Sequence, residues 1–260
     1  MTLTGILGLA FILVFFGLIV LFRIAKQGRH EAGLRKITAY ARLKRAIGLA
    51  VEAGSRFHIS LGRGSLTGPE SAVAFVGLST LEGVIRSVST GDNPPIVTTG
   101  EASLAIITRD TLRSTYQDIG ILEQYQPTSG QLTGFTPFSY AVGTLPALAD
   151  PKTTSHFLIG HFGNEIALLT DASERSGALM LAGTDNLPAQ ALLYATAKEP
   201  LIGEEVFAAG AYVLSNPMHL ASLRAQDILR WGLIIIILVG ILLKFLGLDA
   251  VFIELFGGLM

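Results

Sequence analysis

The 260-residue sequence predicts an α/β protein, with a three-layer parallel-sheet (Rossmann-like) domain held between two transmembrane helices. Three observations predict it. Long apolar stretches lie near both ends, at 1–22 and 231–248. Between them, short apolar runs bounded by glycine alternate with longer helical patterns, the signature of a parallel sheet covered on both faces. Half of the residues are hydrophobic and the mean hydropathy is +0.54, high for a soluble domain but natural for one joined to two spans.

The first stretch has no charged residue through position 22. Twenty helical residues cover ~30 Å, the thickness of the hydrocarbon core. A cleaved secretory signal would carry its positive charge before the apolar run. Here Arg23, Lys26, Arg29, Arg35 and Lys36 follow it, so the segment reads as an anchor. The positive-inside rule then places the amino terminus outside and residues from 23 onward in the cytoplasm. A juxtamembrane helix starts within 216–230 and leads into the second span. Arg224 and Arg230 precede Trp231, which sits where an interfacial aromatic belongs. The second span gives the same orientation, with both termini outside and the main domain in the cytoplasm of a prokaryotic cell. The tail, 249–260, is apolar from 250 onward apart from Glu254 and reads as interfacial or packed against a neighbouring subunit.

The charges are unevenly placed. Between positions 23 and 45 lie eight Lys/Arg and one acid, Glu31. This stem, 23–54, reads as a basic juxtamembrane helix, with Leu34, Ile37, Ala41 and Ile47 near helical spacing. Its cations Arg23, Lys26, Arg29, Arg35, Lys36, Arg42, Lys44 and Arg45 suit anionic lipid, each contributing about 1 kcal/mol near a membrane surface. Two other readings are a solvated helix that only enforces topology, and a stem that meets the acidic body of a neighbouring copy. The body, 55–215, has eight basic and fifteen acidic residues, a net of −7. That balance argues against nucleic acid as a partner, because phosphate backbones need a basic face. The sequence has no cysteine, which excludes disulfides, thiolate catalysis and cysteine-ligated metals.

Within the body, 57–61 reads as a short strand ending at Gly62. A helix over 69–88 follows, with Thr67 and Glu70 spaced for a capping box. Residues 96–98 form a second strand, and 101–119 a helix whose stripe includes Leu104, Ile107, Thr108, Leu112 and Thr115. After a looser stretch, 120–134, Thr136 and Pro137 open a helix to about 148. Strands at 156–159 and 178–182 lead into helices at 164–175 and 186–197. A last helix covers 203–214. The βαβα order occurs twice, and each half begins with a histidine in a strand, His58 and His156, followed by a glycine turn.

Strand-to-helix turns of such a sheet are natural ligand sites, since helix N-termini offer N–H groups to anions. Three turns already place an acid there: Glu101, Glu165 and Asp185. Only the first brings a cation and hydroxyls, so Gly62, Arg63, Gly64, Ser65 and Thr67 form the candidate anion or nucleotide site. It lacks the Gly-Lys-Ser/Thr ending of a P-loop and is not a good dinucleotide fingerprint. His156, His161 and Glu165 do not have the spacing of a metal motif, and no Gly-x-Ser-x-Gly elbow occurs. No cofactor or catalytic set is expected.

The segments 53–68 (AGSRFHISLGRGSLTG), 93–100 (NPPIVTTG), 110–116 (DTLRSTY), 134–143 (GFTPFSYAVG) and 200–212 (PLIGEEVFAAGAY) resemble a family of bacterial and archaeal membrane proteins known only as a domain of unknown function. The resemblance implies a membrane-tethered domain and no established activity. Two nearly uncharged spans offer no polar transport pathway. The expected role is therefore a membrane-anchored scaffold or accessory protein that lies on the lipid bilayer and self-associates as a homo-oligomer or docks onto a larger membrane complex. The competing expectation is a nucleotide- or anion-sensing domain using 62–68.

Overall fold

The structure, a computed structural model, describes residues 3–25, 35–89, 91 and 93–246. The chain forms two compact units, 34–214 and the two flanks, 1–33 with 215–260.

The flanking unit contains α1 (Leu3–Ala25) and a long terminal helix (Pro217–Phe245), which pack against each other. Mean hydropathy reaches 2.9 over Thr4–Ile24 and 2.4 over the terminal helix, so both are long and apolar enough to cross a membrane. Asn216 caps the terminal helix by accepting from the Met218 N–H, and Pro217 fits its first turn. From there it runs without a break through Trp231 to Phe245, so the juxtamembrane start and the apolar stretch are one helix. The tail 249–260 lies outside the described residues.

The body begins with α2 (Thr38–Glu52) and continues as β1 (Arg56–Gly62), α3 (Ser71–Val88), β2 (Ile96–Thr99), α4 (Ala102–Asp118), β3 (Gly130–Leu132), α5 (Pro137–Ala149), β4 (Thr153–His161), α6 (Ile166–Ser176), β5 (Leu179–Gly183), α7 (Leu187–Thr196), β6 (Glu199–Leu201) and α8 (Ala209–Val213). All strand pairs are parallel, in the order β3-β2-β1-β4-β5-β6. Alternation along each strand divides its residues between two cores. Phe57, Ile59 and Leu61 of β1, with Phe157 and Ile159 of β4, meet α2, α3 and α4 on one face. Leu158, Met180 and Ala182 meet α5, α6 and α7 on the other. Each fully buried aliphatic side chain contributes about 1.5–3 kcal/mol.

Several expectations change in detail. The Thr67–Glu70 capping box does not form. Glu70 is itself the N-cap of α3 and makes no side-chain cap bond, while the Thr67 N–H donates to Ser65 Oγ instead. The stretch 120–134 contains β3, and β6 precedes the last helical segment. That segment is a 3-10 turn (Gly203–Ala208) followed by the short α8. Ile107 points outward, at 40% exposure, because the buried stripe of α4 runs through Leu104, Thr108, Leu112 and Thr115. The third apolar helix, α3, has the length and hydropathy of a span but belongs to the body, with Val73, Leu81, Val84 and Ile85 fully buried in its core.

The basic stem also has a definite place. In α2, Ala39, Tyr40, Leu43, Ala46, Ile47 and Ala50 are buried, so its apolar face is part of the body's own core. Arg35 pairs with Glu205 and Arg42 with Glu199, so stem cations meet acids of their own chain. Lys44 also has a partner. Lys36 and Arg45 are exposed on α2 and the residues preceding it, and Arg23 lies in the last turn of α1. Lys26 and Arg29 lie outside the described residues.

Candidate ligand crevice at the sheet switch point

The strand order reverses between β1 and β4: β1 connects toward β2 on one side, β4 toward β5 on the other. Loops leaving the carboxyl ends of these two strands therefore diverge, and the space between them, outside the strand ends, is the candidate crevice. In open α/β sheets this is where ligands bind.

Glycines let the two strand ends come together. Gly62 has φ +69°, a left-handed conformation that a side chain would strain, and a Cβ there would collide with the His161 carbonyl. A Cβ on Gly160 would collide with the Leu61 carbonyl. The close approach is closed by backbone bonds. The Arg63 N–H donates to the His161 carbonyl at 2.9 Å, and the Gly100 N–H to the Gly62 carbonyl at 2.8 Å.

An ion pair and a histidine–carboxylate hydrogen bond then link the loops around the crevice. Arg63 lies over Gly100, and its Nε donates to Glu165 Oε1 at 3.0 Å. The Glu165 side chain is only 3% exposed. Burial alone would raise its carboxyl. The backbone N–H groups of Gly163 and Glu165, together with Arg63, outweigh that and hold it below the ordinary carboxylate range. On the far side, His161 Nδ1 hydrogen-bonds Asp185 Oδ1 at 2.8 Å. That bond raises the histidine above its ordinary value. Burial opposes it, the charges of Asp185 and Glu70 reinforce it, and that of Arg63 lowers it. His161 Nε2 is left without a partner among the described residues. The ends of β1, β4 and β5 are thus joined by polar pairs whose members come from different turns.

Beneath the crevice, on the α5 side of the sheet, lies a buried polar layer. Tyr140 of α5 and Ser60 share a hydrogen bond, and His58 Nε2 meets Thr98 Oγ1 at 3.0 Å. His58 and His156 are register partners on β1 and β4, with rings edge to face at 5.4 Å. Burial pushes His156 down to about 4. Burial, then the neighbouring His156, holds His58 well below 6.5. Both are therefore neutral at pH 7. Neither nitrogen of His156 has a hydrogen-bond partner among the described residues, and neither does Nδ1 of His58.

Of the sequence candidates, Gly62, Arg63 and Gly64 stand at the crevice. Ser65 and Thr67 bond to each other in the following turn, Oγ to Oγ1 at 3.3 Å. Glu165, His161 and Asp185 complete the constellation. Position at a strand-to-helix turn marks each acid in the sequence, but no sequence signal pairs Arg63 with Glu165. Among the described residues no three His, Cys, Asp or Glu side chains are grouped to hold a metal. The arrangement offers a guanidinium and an imidazole with one open nitrogen. It suits recognition of a polar anion that competes with Glu165 for Arg63.

The family model described as a domain of unknown function (DUF6754) matches residues 3–255, and the chain belongs to that family. No curated protein and no solved structure matches it.

Proposed function

We propose that this member of the DUF6754 family is a membrane-tethered sensing domain that binds an anionic small molecule, a nucleotide or organic phosphate, in the β1/β4 crevice. The observation that carries this reading is the strand reversal with Arg63 and His161 on its two lips. Arg63 is paired with Glu165, so an anion that takes the guanidinium exchanges one partner of Arg63 for another. That exchange alters the contact between the loops after β1 and β4, a local event suited to signalling rather than turnover.

The tether supports the same reading. Two helices have the length and hydropathy of membrane spans, and cations follow the first and precede the second, favouring a cytoplasmic body with both termini outside. A second reading, a scaffold or accessory subunit, is favoured by apolar side chains left on the outer surface of the body: Phe135, Phe138 and Leu187 are 67, 69 and 75% exposed. A sensor that reports to a neighbouring subunit would use both features.

The test is binding to the full-length protein in detergent, screened by thermal shift with nucleoside mono- and triphosphates, dinucleotides and inorganic phosphate. A ligand at 100-fold over its Kd adds about 2.7 kcal/mol of stability. Arg63→Glu should abolish the shift. Glu165→Gln, which releases Arg63, should strengthen binding of the same compound. An affinity unchanged in both variants would remove the crevice as the site.

A further inference from the structure

A second groove lies at the opposite edge of the sheet, where β1, β4 and β5 begin. It is lined by Arg42, Arg45 and Leu49 of α2, with Ser55, Ser155 and Leu179 among its other walls, and encloses about 370 Å³. It lies wholly within the body and shares no residue with the crevice. Small-molecule sites typically enclose ~300–1,000 Å³.

The helix makes this groove amphipathic. Positions 42, 45, 46, 49 and 53 recur at helical spacing, so α2 presents one face to the groove while Leu43, Ile47 and Ala50 turn into the core. Leu49 is 58% exposed, an apolar side chain left open in a groove that Arg42, Arg45 and Leu179 also line. The charges do not cancel. Arg42 is answered by Glu199, but Arg45 has no ion-pair or hydrogen-bond partner among the described residues. Of the groove hydroxyls, those of Ser55 and Thr154 bond each other at 2.8 Å, whereas Ser155 Oγ has no partner among the described residues. An uncommitted guanidinium and a spare hydroxyl donor beside an apolar wall define a complementary ligand. It has a compact anion with several acceptor oxygens at one end and hydrocarbon at the other.

We infer that this groove binds a phosphate ester bearing an apolar chain. Arg45 and Ser155 hold the phosphate, and Leu49 and Leu179 hold the chain. The same chemistry is presented by a soluble alkyl phosphate and by the head and upper chain of a phosphatidate-type lipid.

The two sources separate in one experiment. Full-length protein is placed in nanodiscs of phosphatidylcholine and titrated with hexyl phosphate or with inorganic phosphate. In parallel, discs containing phosphatidate are compared by hydrogen exchange at 42–53 and 153–155. Arg45→Glu is the main variant, since its side chain is exposed and carries no ion pair that folding needs. Leu49→Asp is the second. Hexyl phosphate binding that weakens at least about tenfold in both variants supports the site with a soluble ligand. Exchange protection found only in phosphatidate discs, and lost in Arg45→Glu, supports the site with a bilayer ligand. Binding and protection that are absent in both arms, or insensitive to Arg45→Glu, overturn the inference. So does inorganic phosphate binding as tightly as hexyl phosphate, because the apolar wall would then select nothing.

Discussion

His58 and His156 make the clearest residue-scale statement about pH. Each is neutral in the fold because burial disfavours its charged form, and His156 is pushed down to about 4 from an ordinary 6.5. The unfolded chain binds protons at these positions below about pH 6.5 while the folded chain does not. Stability is therefore fully present above pH 6.5 and falls as the pH drops toward 4, by about 3 kcal/mol for His156 at ~1.4 kcal/mol per pH unit. Thermal midpoints measured across that range should show the fall. His156→Leu should keep or raise stability at pH 7, since neither ring nitrogen has a partner, and should flatten the acid slope. His161 runs the other way. Its value is raised by Asp185, so its contribution is full below the ordinary histidine value and is lost as the pH rises through the folded one. Asp185→Asn should change that upper flank and leave the acid flank alone. The glycines at the strand ends give a third check. Gly160→Ala forces a Cβ onto the Leu61 carbonyl and should cost about 2 kcal/mol or more in the same midpoint measurement.

At the scale of elements, α2 and the residues just before it fix the basic stem to the body, and their two ion pairs differ in kind. Glu199 is 9% exposed at its side chain, so Arg42→Ala leaves a nearly buried carboxylate without its partner and should cost about 1–3 kcal/mol. The Arg35 side chain is 76% exposed, and Arg35→Ala should change stability by less than about 1 kcal/mol. Denaturation of the two variants side by side separates them. Most helices were legible in the sequence because caps and stripes are local signals. Thr136 and Ser139 cap each other at α5, Asn186 accepts from the Ala189 N–H at α7, and Glu101 from the Leu104 N–H at α4. The edge strands β3 and β6 were not legible. Three residues establish no period, and Gly130 and Pro200 are poor strand formers. Finding them requires the neighbouring strand that supplies their hydrogen bonds.

At the scale of the whole molecule, the sequence carried the alternation of strands and helices, and thus the parallel sheet. It did not carry the strand order, which depends on pairings across the chain. The candidate site was half legible for the same reason. The Gly62–Arg63–Gly64 turn is contiguous, but Glu165 lies 102 residues from Arg63 and only the fold joins them. Topology has its own test. The chain is free of cysteine, so single cysteines at Thr2 and at Tyr194, which is 77% exposed, report without background. With both termini outside and the body inside, an impermeant thiol reagent should label Thr2→Cys on intact cells and Tyr194→Cys only after permeabilisation.

The sensing reading rests on occupancy of the crevice, and native mass spectrometry of the full-length protein released gently from its own membrane measures that directly. An anionic small molecule should be bound to the wild-type chain and absent from Arg63→Glu. Wild-type and variant chains that both emerge without such a mass, or that carry it equally, would contradict it.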